Sequence, residues 1–338
     1  MGGLNIKDIA KIAGVSHTTV SRVMNDSPLI SDKTKAVIRE LAQKHGYTPN
    51  SFAKSLALNR SFNIGLFFSS INSGVTSNYY FEIVTNIKKE IVKKYNLIAH
   101  GIDEFDDNFT AVNTRNYDGI LLVSQNRSDD SFIKYLIDSK IPLAVINRNI
   151  SKFDVDCFFS DEREVVKNVI NLLIKNNHKR IAILKGTSDA ISTEERYSGY
   201  TDAIASAFGV IEKELVIDGN YSIESGYEAG KMLLNIKNRP TAIFCSNDFM
   251  AIGLYKAMNE AGIRIPEDIA VAGFDATEIS EYMNPALTTI KRPVGEIVRE
   301  AAKRLTARIE DKNFSEKTLI KSFKSTIIKR FSISKLKY

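Results

Sequence analysis

A short polar segment near the N-terminus carries side chains that can read duplex DNA. The guanidinium group of Arg22 can donate two hydrogen bonds to a guanine in the major groove, and the Thr18 methyl group can contact a thymine methyl group. The small hydroxyl groups of Ser16, Thr19 and Ser21 can reach phosphate oxygens without steric conflict. This combination of base-reading and phosphate-contacting groups is typical of a protein surface that binds DNA.

Two consecutive helices are predicted to position these side chains. Apolar residues recur at helical spacing from Ile6 to Ala13, and Gly14 ends that helix because glycine tolerates the left-handed conformation of a tight turn. Ser16 is predicted to cap a second helix that runs to about Met24 and buries its two valines. The polar residues predicted on its outward face are His17, Thr18, Ser21, Arg22 and Asn25.

A third helix is predicted after the cap residue Ser31, ending at Gly46. Its inward positions are predicted to be Val37, Ile38, Leu41 and Ala42. Two helices joined by a glycine-centred turn, the second with an outward polar face, are typical of a helix-turn-helix. An ordinary three-helix bundle packed through alanine, glycine and valine is the alternative.

The letters NIKDIAKIAGVSHTTVSRVMN over 5–25, with HGYTPNSFAKSL over 45–56, resemble the headpiece of the lac repressor/galactose repressor family. The resemblance implies that the second helix reads the major groove through His17, Thr18 and Arg22. It further implies a hinge helix over 50–58 with DNA-contacting residues Asn50, Ala53 and Leu56. Nine residues are too few for a helix that is stable alone, and an apolar wedge such as Leu56 can insert between base steps. A plain linker is the alternative.

The remaining chain alternates short apolar runs with amphipathic stretches, which predicts an α/β fold with doubly wound parallel sheets. It is similar to the periplasmic-binding-protein-like core of the same family at DGILLV (118–123), HKRIAI (178–183), PTAIFCSND (240–248), IPEDIAVAGFD (265–275) and NPALTTI (284–290). The segment 103–118 is shorter and more acidic than the family pattern. The predicted domains are a headpiece at 1–48, a hinge and linker at 49–62, and a core at 63–338. Within the core, an N-subdomain is expected at about 63–160 and 293–320, and a C-subdomain at about 161–290 and 321–338.

The resemblance also implies an effector site in the cleft between the two subdomains. Aromatic faces together with hydrogen-bonding side chains suit a small polyhydroxylated ring. Each residue also has a structural alternative: the tyrosines can belong to the core, Arg196 and Asp275 can form an ion pair, and Asn247 can cap a helix. The implied effector contacts are Tyr79, Tyr80, Asn147, Arg148, Arg196, Tyr221, Asn247, Asp275 and Arg292.

Charge is distributed unevenly along the chain. Residues 1–62 contain 9 basic and 4 acidic residues, whereas 63–316 contain 30 basic and 36 acidic residues. A small basic head on a large acidic body is expected when only the head meets a polyanion. A hydrophobic content of 43% and a mean hydropathy of −0.15 exclude a disordered chain and indicate a soluble one.

Other classes of protein find little support. The sequence contains none of the GxSxG, GxxxxGK[ST] and HExxH motifs, and Cys157 and Cys245 are too far apart for a CxxC metal site. No catalytic residue, metal or cofactor is therefore predicted. The first residues offer no signal-peptide core and no apolar run reaches membrane-spanning length, so a cytoplasmic protein is expected.

Taken with the resemblance, these features predict a cytoplasmic, homodimeric repressor of sugar-utilisation genes that binds double-stranded operator DNA and a small sugar effector. The alternatives are a purine- or nucleoside-responsive repressor of the same build and a regulator whose co-effector is a phosphorylated carrier protein. A solute-binding protein of a transporter is the alternative from another class, since the core has that fold.

Overall fold

The computed structural model describes residues 4–47, 58, 60–71, 77–91, 94–311, 314 and 317–336. It divides into two compact units, Met1–Ser61 and Phe62–Tyr338, which we call the headpiece and the core. No helix among the described residues is both long and apolar enough to cross a membrane.

The headpiece contains the three predicted helices, α1 (Ile6–Ala13), α2 (His17–Met24) and α3 (Asp32–Lys44). Each begins at a side-chain cap, because Asn5, Ser16 and Ser31 accept hydrogen bonds from backbone N–H groups of the first turn that have no partner within the helix. Gly14 ends α1 with a φ of 64°, as the turn requires. The apolar centre consists of Ile9, Ala10, Val20, Val23 and Ile38.

The prediction for the inward face of α3 was wrong at Val37, which is 51% exposed. Ile38 and Ala42 fill the buried face, and the buried stem of Lys35 takes the remaining space beside them. The Lys35 ammonium group reaches Asp26 at 3.1 Å, so the side chain covers apolar surface while its charge is paired. Val37 therefore points away from the other two helices.

The first sheet of the core has six parallel strands in the order β11-β5-β4-β3-β1-β2. Both of its faces are covered by apolar clusters and helices, which explains why its central strands are continuous apolar runs. We call this sheet and its helices the N-subdomain. Its elements are β1 (Asn63–Phe68), α4 (Ser77–Ile91), β2 (Asn96–Gly101), β3 (Gly119–Val123), α5 (Asp130–Asp138), β4 (Leu143–Ile146), β5 (Asp156–Ser160), α11 (Val294–Glu310) and β11 (Ile320–Phe323).

The second sheet has four parallel strands in the order β7-β6-β8-β9, with apolar clusters on both faces. We call it, with its helices, the C-subdomain. Its elements are α6 (Glu162–Lys175), β6 (Ile181–Leu184), α7 (Ile191–Phe208), β7 (Val216–Ile217), α8 (Ile223–Leu234), β8 (Ala242–Cys245), α9 (Asp248–Glu260), β9 (Ala270–Ala272) and α10 (Ile279–Tyr282).

The chain crosses between the two subdomains three times, after β5, after β10 (Thr289–Lys291) and after β11. β10 pairs antiparallel with β12 (Thr326–Ile328), so the second and third connections are hydrogen-bonded to each other. The third crossing lies a few residues later than predicted, because β11 extends the first sheet to Phe323 rather than ending the subdomain at 320.

The short segment 103–118 is closed by two 3-10 turns, Ile102–Phe105 and Phe109–Ala111, in place of a longer helix. Phe109, Val112 and Tyr117 are buried in the cluster that covers this face of the first sheet. Aromatic packing thus seals this flank despite its acidic sequence.

Candidate functional site

Five of the ten side chains predicted to contact DNA are exposed on α2 or directly beside it. The two valines of the helix are fully buried on the opposite side. Thr19 and Ser21 are half-buried. The exposed members of the predicted set are Ser16, His17, Thr18, Arg22 and Asn25.

Ser16 and Thr19 have a structural task at the start of α2. The Thr19 N–H donates to Ser16 Oγ at 3.1 Å, and the two hydroxyl oxygens lie 2.9 Å apart. These hydroxyls can reach DNA only with the hydrogen-bonding capacity that the cap leaves free. The predicted contacts Asn50, Ala53 and Leu56 lie outside the described residues.

A cavity of about 680 Å³ lies between the N- and C-subdomains of the core. Its walls are built by the loops that follow the carboxyl ends of strands in both sheets, the usual ligand position in such folds. Seven of the nine predicted effector residues line it. They are Tyr79, Asn147, Arg196, Tyr221, Asn247, Asp275 and Arg292.

The other two predicted residues, Tyr80 and Arg148, do not line the cavity. The Tyr80 ring packs on Phe68 at a centroid distance of 5.5 Å and joins the apolar cluster of the first sheet. Arg148 is 4% exposed, and its guanidinium group donates to Ser124 Oγ at 3.0 Å and to Asp130 at 2.9 Å. Arg148 therefore holds the loop after β3 in place without lining the cavity itself.

Four charged side chains form an alternating chain at one end of the cavity. Arg196 Nε donates to Glu162 at 2.7 Å, and Arg292 donates to Glu162 at 3.4 Å and to Asp275 at 3.1 Å. Burial raises the pKa of Glu162, but the two arginines outweigh burial and hold that pKa below its usual value. Glu162 is therefore a carboxylate at neutral pH.

Arg196 and Arg292 are also held by aromatic rings. The Arg196 guanidinium carbon lies 3.7 Å from the centroid of the Phe274 ring, and that of Arg292 lies 4.9 Å from the centroid of the Tyr79 ring. Tyr79 Oη in turn lies 2.7 Å from Asn147 Nδ2. These contacts connect α4, the end of β4 and the second crossing segment.

Tyr221 and Asn247 form the C-subdomain wall. Asn247 caps α9 by accepting from the Met250 N–H at 2.9 Å, and its amide donates to the Tyr221 carbonyl at 2.9 Å. The Tyr221 hydroxyl lies 2.7 Å from Thr193 Oγ1 on α7. Capping was one of the alternatives left open for Asn247, and the structure shows it in a residue that also lines the cavity.

The turn that carries Asp275 is supported by the buried carboxyl group of Asp248. Asp248 accepts from the Thr277 N–H at 2.7 Å and from the Thr289 hydroxyl at 2.6 Å. Asp275 and Ala276 both have positive φ, 103° and 50°, so this turn needs such support. Burial raises the pKa of Asp248 to about 7.

The two subdomains also contact each other at the edge of the cavity. The Ile191 N–H, at the start of α7, donates to the Gln125 carbonyl at 2.9 Å. Beside it, Arg127 and Glu194 form an exposed ion pair at 2.6 Å. These contacts join the loop after β3 to the first turn of α7.

Several cavity residues were not identified from the sequence, above all Glu162. Ser69 and Ser124 directly follow β1 and β3, and Asn126 lies two residues after Ser124. A search for polar residues just after the apolar runs of the sequence would find them. Glu162 lacked that signal because β5, the strand before it, has only three consecutive apolar residues between Asp156 and Ser160. Among the described residues, no group of three or more His, Cys, Asp or Glu side chains is placed to hold a metal ion.

A helix-turn-helix headpiece and a core of two parallel-sheet subdomains around a polar cavity define a DNA-binding regulator with a small-molecule domain. Comparison with known proteins agrees. Residues 5–50 match the family described as bacterial regulatory proteins, lacI family, and residues 170–333 match a periplasmic binding protein-like domain. The probable HTH-type transcriptional repressor ExuR of Bacillus subtilis (strain 168) is 42% identical over 308 residues, 91% of this chain and 92% of that protein.

The chain belongs to the lacI family and is a DNA-binding transcriptional repressor, not an enzyme. A repressor of this family acts on DNA in the cytoplasm. The complex of the transcriptional regulator CelR with cellobiose has a TM-score of 0.73 and 25% identity, covering 97% of this chain and 99% of that one. The lac repressor dimer bound to operator and the anti-inducer ONPF has a TM-score of 0.83 at 24% identity, covering 98% and 100%, and shows the shared fold.

Proposed function

We propose that the cavity binds a small sugar and that this binding weakens the affinity of the repressor for its operator. The observation that carries the proposal is the convergence of seven predicted effector residues on one cavity between the two subdomains. The cellobiose complex of the similar regulator CelR supports a sugar as the ligand class.

The cavity offers the groups that a polyhydroxylated ring requires. Arg196 and Asp275 supply charged hydrogen-bonding groups of both signs, while the Asn247 amide supplies a neutral one. Tyr79 and Tyr221 contribute aromatic rings that can pack against the apolar face of a sugar. We assign Arg196 and Asp275 as the anchors of the effector.

Coupling to DNA follows from the position of the cavity between the subdomains. A ligand that contacts both walls stabilises one relative arrangement of the subdomains, and DNA affinity changes if the operator-bound form prefers another arrangement. The coupling is reciprocal, so the effector binds less tightly to operator-bound repressor by the same factor.

On the DNA side, we propose that α2 enters the major groove with Arg22, Thr18 and His17 towards the bases. A two-fold operator requires two headpieces, so the repressor acts as a homodimer assembled through its core. Asn50, Ala53 and Leu56 remain the proposed contacts of the hinge.

Titration of purified protein with a panel of mono- and disaccharides, while following operator binding, tests this proposal. Arg196→Ala is expected to abolish the response to the active sugar while leaving ligand-free operator binding nearly intact. Arg196→Lys, which keeps the charge, controls for the loss of a buried cation. Arg264→Ala, at an exposed arginine that does not line the cavity, is the matched control.

The outcomes separate the alternatives. A purine or nucleoside that releases the operator where no sugar does would replace the proposed ligand class. A sugar that strengthens operator binding would make the ligand a corepressor and reverse the proposed sign. An unchanged sugar affinity and response in Arg196→Ala would show that Arg196 is structural and that the site assignment is wrong.

A further inference from the structure

Glu162 lies between the two arginines of the cavity and contacts both. We propose that Glu162 sets the electrostatic selectivity of the cavity by acting as the shared counter-ion of Arg196 and Arg292. The inference rests on the proposed function in one respect only, namely that this cavity is the effector site.

The geometry gives each guanidinium group its own oxygen of the Glu162 carboxylate. Arg196 Nε lies 2.7 Å from Oε2, and Arg292 Nη1 lies 3.4 Å from Oε1. Both contacts are shielded from water, because Glu162 is 8% and Arg196 4% exposed. At this burial, charge interactions are much stronger than at a protein surface.

The remaining hydrogen bonds of Arg196 and Arg292 show how much the net charge of the cluster depends on the Glu162 carboxylate. Arg196 donates elsewhere to the neutral carbonyl of Ser246, and Arg292 donates to Asp275 at 3.1 Å. Without Glu162 the chain of charges retains two cations and one anion. The cluster then carries a net positive charge beside the cavity.

Arg292 Nε is buried and has no hydrogen-bond partner within the described part of the chain. A buried donor without a partner is unfavourable, so the guanidinium group of Arg292 depends the more on Glu162 and Asp275 for compensation of its charge. Glu162 therefore restrains the attraction of Arg292 for anions.

The test replaces Glu162 by glutamine and uses inorganic sulfate as the probe. Glu162→Gln keeps the shape of the side chain and removes its charge. We expect Glu162→Gln to bind sulfate about tenfold more tightly than the wild-type protein, measured from the sulfate dependence of the thermal midpoint against chloride at equal ionic strength. Glu164→Gln, an exposed glutamate on the same helix, is the matched control and is expected to match the wild type.

Two further variants separate charge from shape. Glu162→Asp restores the negative charge with a shorter side chain, and its sulfate affinity is expected to return to the wild-type level. The double variant Glu162→Gln with Arg292→Gln removes one charge of each sign, so it too is expected to lose the added sulfate affinity. A purely structural role for Glu162 predicts neither rescue.

Equal sulfate affinity in Glu162→Gln and the wild type overturns the inference, and so does a glutamine effect that Glu162→Asp retains. If Glu162→Gln fails to fold, sulfate present during refolding is expected to recover it, and failure to recover it also overturns the inference. The assay uses neither DNA nor sugar. A negative result therefore leaves the proposed effector function standing, and loss of the effector function leaves the charge measurement valid.

Discussion

The ring of Tyr221 packs against Gly186 so closely that position 186 has no room for a methyl group. A Cβ atom built there lies 1.9 Å from Tyr221 Cζ. Tyr221 itself has a φ of 68°, and its hydroxyl group is bonded to α7, so the ring is fixed at both ends. The position of this cavity wall therefore depends on glycine at residue 186, because a larger residue would displace the Tyr221 ring.

Gly186→Ala is expected to destabilise the protein by about 1–3 kcal/mol, as overpacking of a tight contact does, and to weaken effector binding. A double-mutant cycle with Tyr221→Ala, followed by urea unfolding, measures the clash directly. In the Tyr221→Ala background, Gly186→Ala is expected to leave the free energy of unfolding almost unchanged. The same loss of stability in both backgrounds would place the strain elsewhere.

Arg22→Ala is expected to weaken operator binding by about 1–3 kcal/mol, because a bidentate contact to a guanine is lost. Binding to random DNA of the same length is expected to change much less. Titrations of both duplexes at one fixed salt concentration provide the measurement. An equal loss on the two duplexes would mean that Arg22 contacts only the phosphate backbone.

The ion pair between Arg127 and Glu194 is expected to favour the arrangement in which the two subdomains touch at the cavity edge. The pair is exposed, so its contribution is at most about 1 kcal/mol. Arg127→Glu alone is expected to shift the effector concentration for half-release by a few-fold, and Arg127→Glu with Glu194→Arg to restore it. No restoration in the double variant would argue against the pair itself.

Asp248 is expected to make the stability of the core depend on pH. Burial raises its folded pKa to about 7 from 3.8, so folding favours the protonated form. This contribution is fully present below pH 3.8 and is lost as the pH rises through about 7. The stability of Asp248→Asn, measured by urea unfolding, is expected to decline less over this interval than that of the wild type. Parallel profiles for the two proteins would contradict this assignment, and Asp138→Asn, at an exposed carboxylate, is the control.

We expect α4 and α10 to contribute to the dimer interface, because each exposes a large aromatic side chain. Phe81 is 71% exposed and Tyr282 is 78% exposed. Phe81→Asp and Tyr282→Asp are expected to weaken the dimer, because buried apolar area stabilises such interfaces. Sedimentation at micromolar concentration gives the measurement. Val210→Asp, at another exposed apolar residue, is the control, and an unchanged dimer in both test variants would exclude this surface.

The headpiece helices were predictable from their regular apolar period, and the central strands of the core from their short continuous apolar runs. The sequence was less informative about which side chains line the cavity. Tyr79 and Tyr80 are neighbours on a helix, so their side chains point about 100° apart and only one can face the cavity. Sequence alone does not tell which of the two it is. The structure selects Tyr79 and places Tyr80 in the core.

The short connecting strands were harder still to predict. β10 and β12 each contain three residues, too few to show a period, and the two strands are far apart in the sequence. Arg148 resembles a cavity residue by its position after β4, but its side chain turns towards Asp130. Tertiary contacts, which no local pattern contains, decide both cases.

The pairing of β10 with β12 restricts how the core can flex. Two of the three connections between the subdomains contain these strands and are hydrogen-bonded to each other. We expect the two connections to bend together and to resist twisting against each other. We therefore expect the subdomains to rotate more easily in one direction than in others. On such a rotation, residues next to the paired connections, such as Arg292, move a short distance, and residues farther from them move a longer distance. In a repressor built in this way, we expect a small change around the ligand to produce a displacement of the subdomains in that one direction.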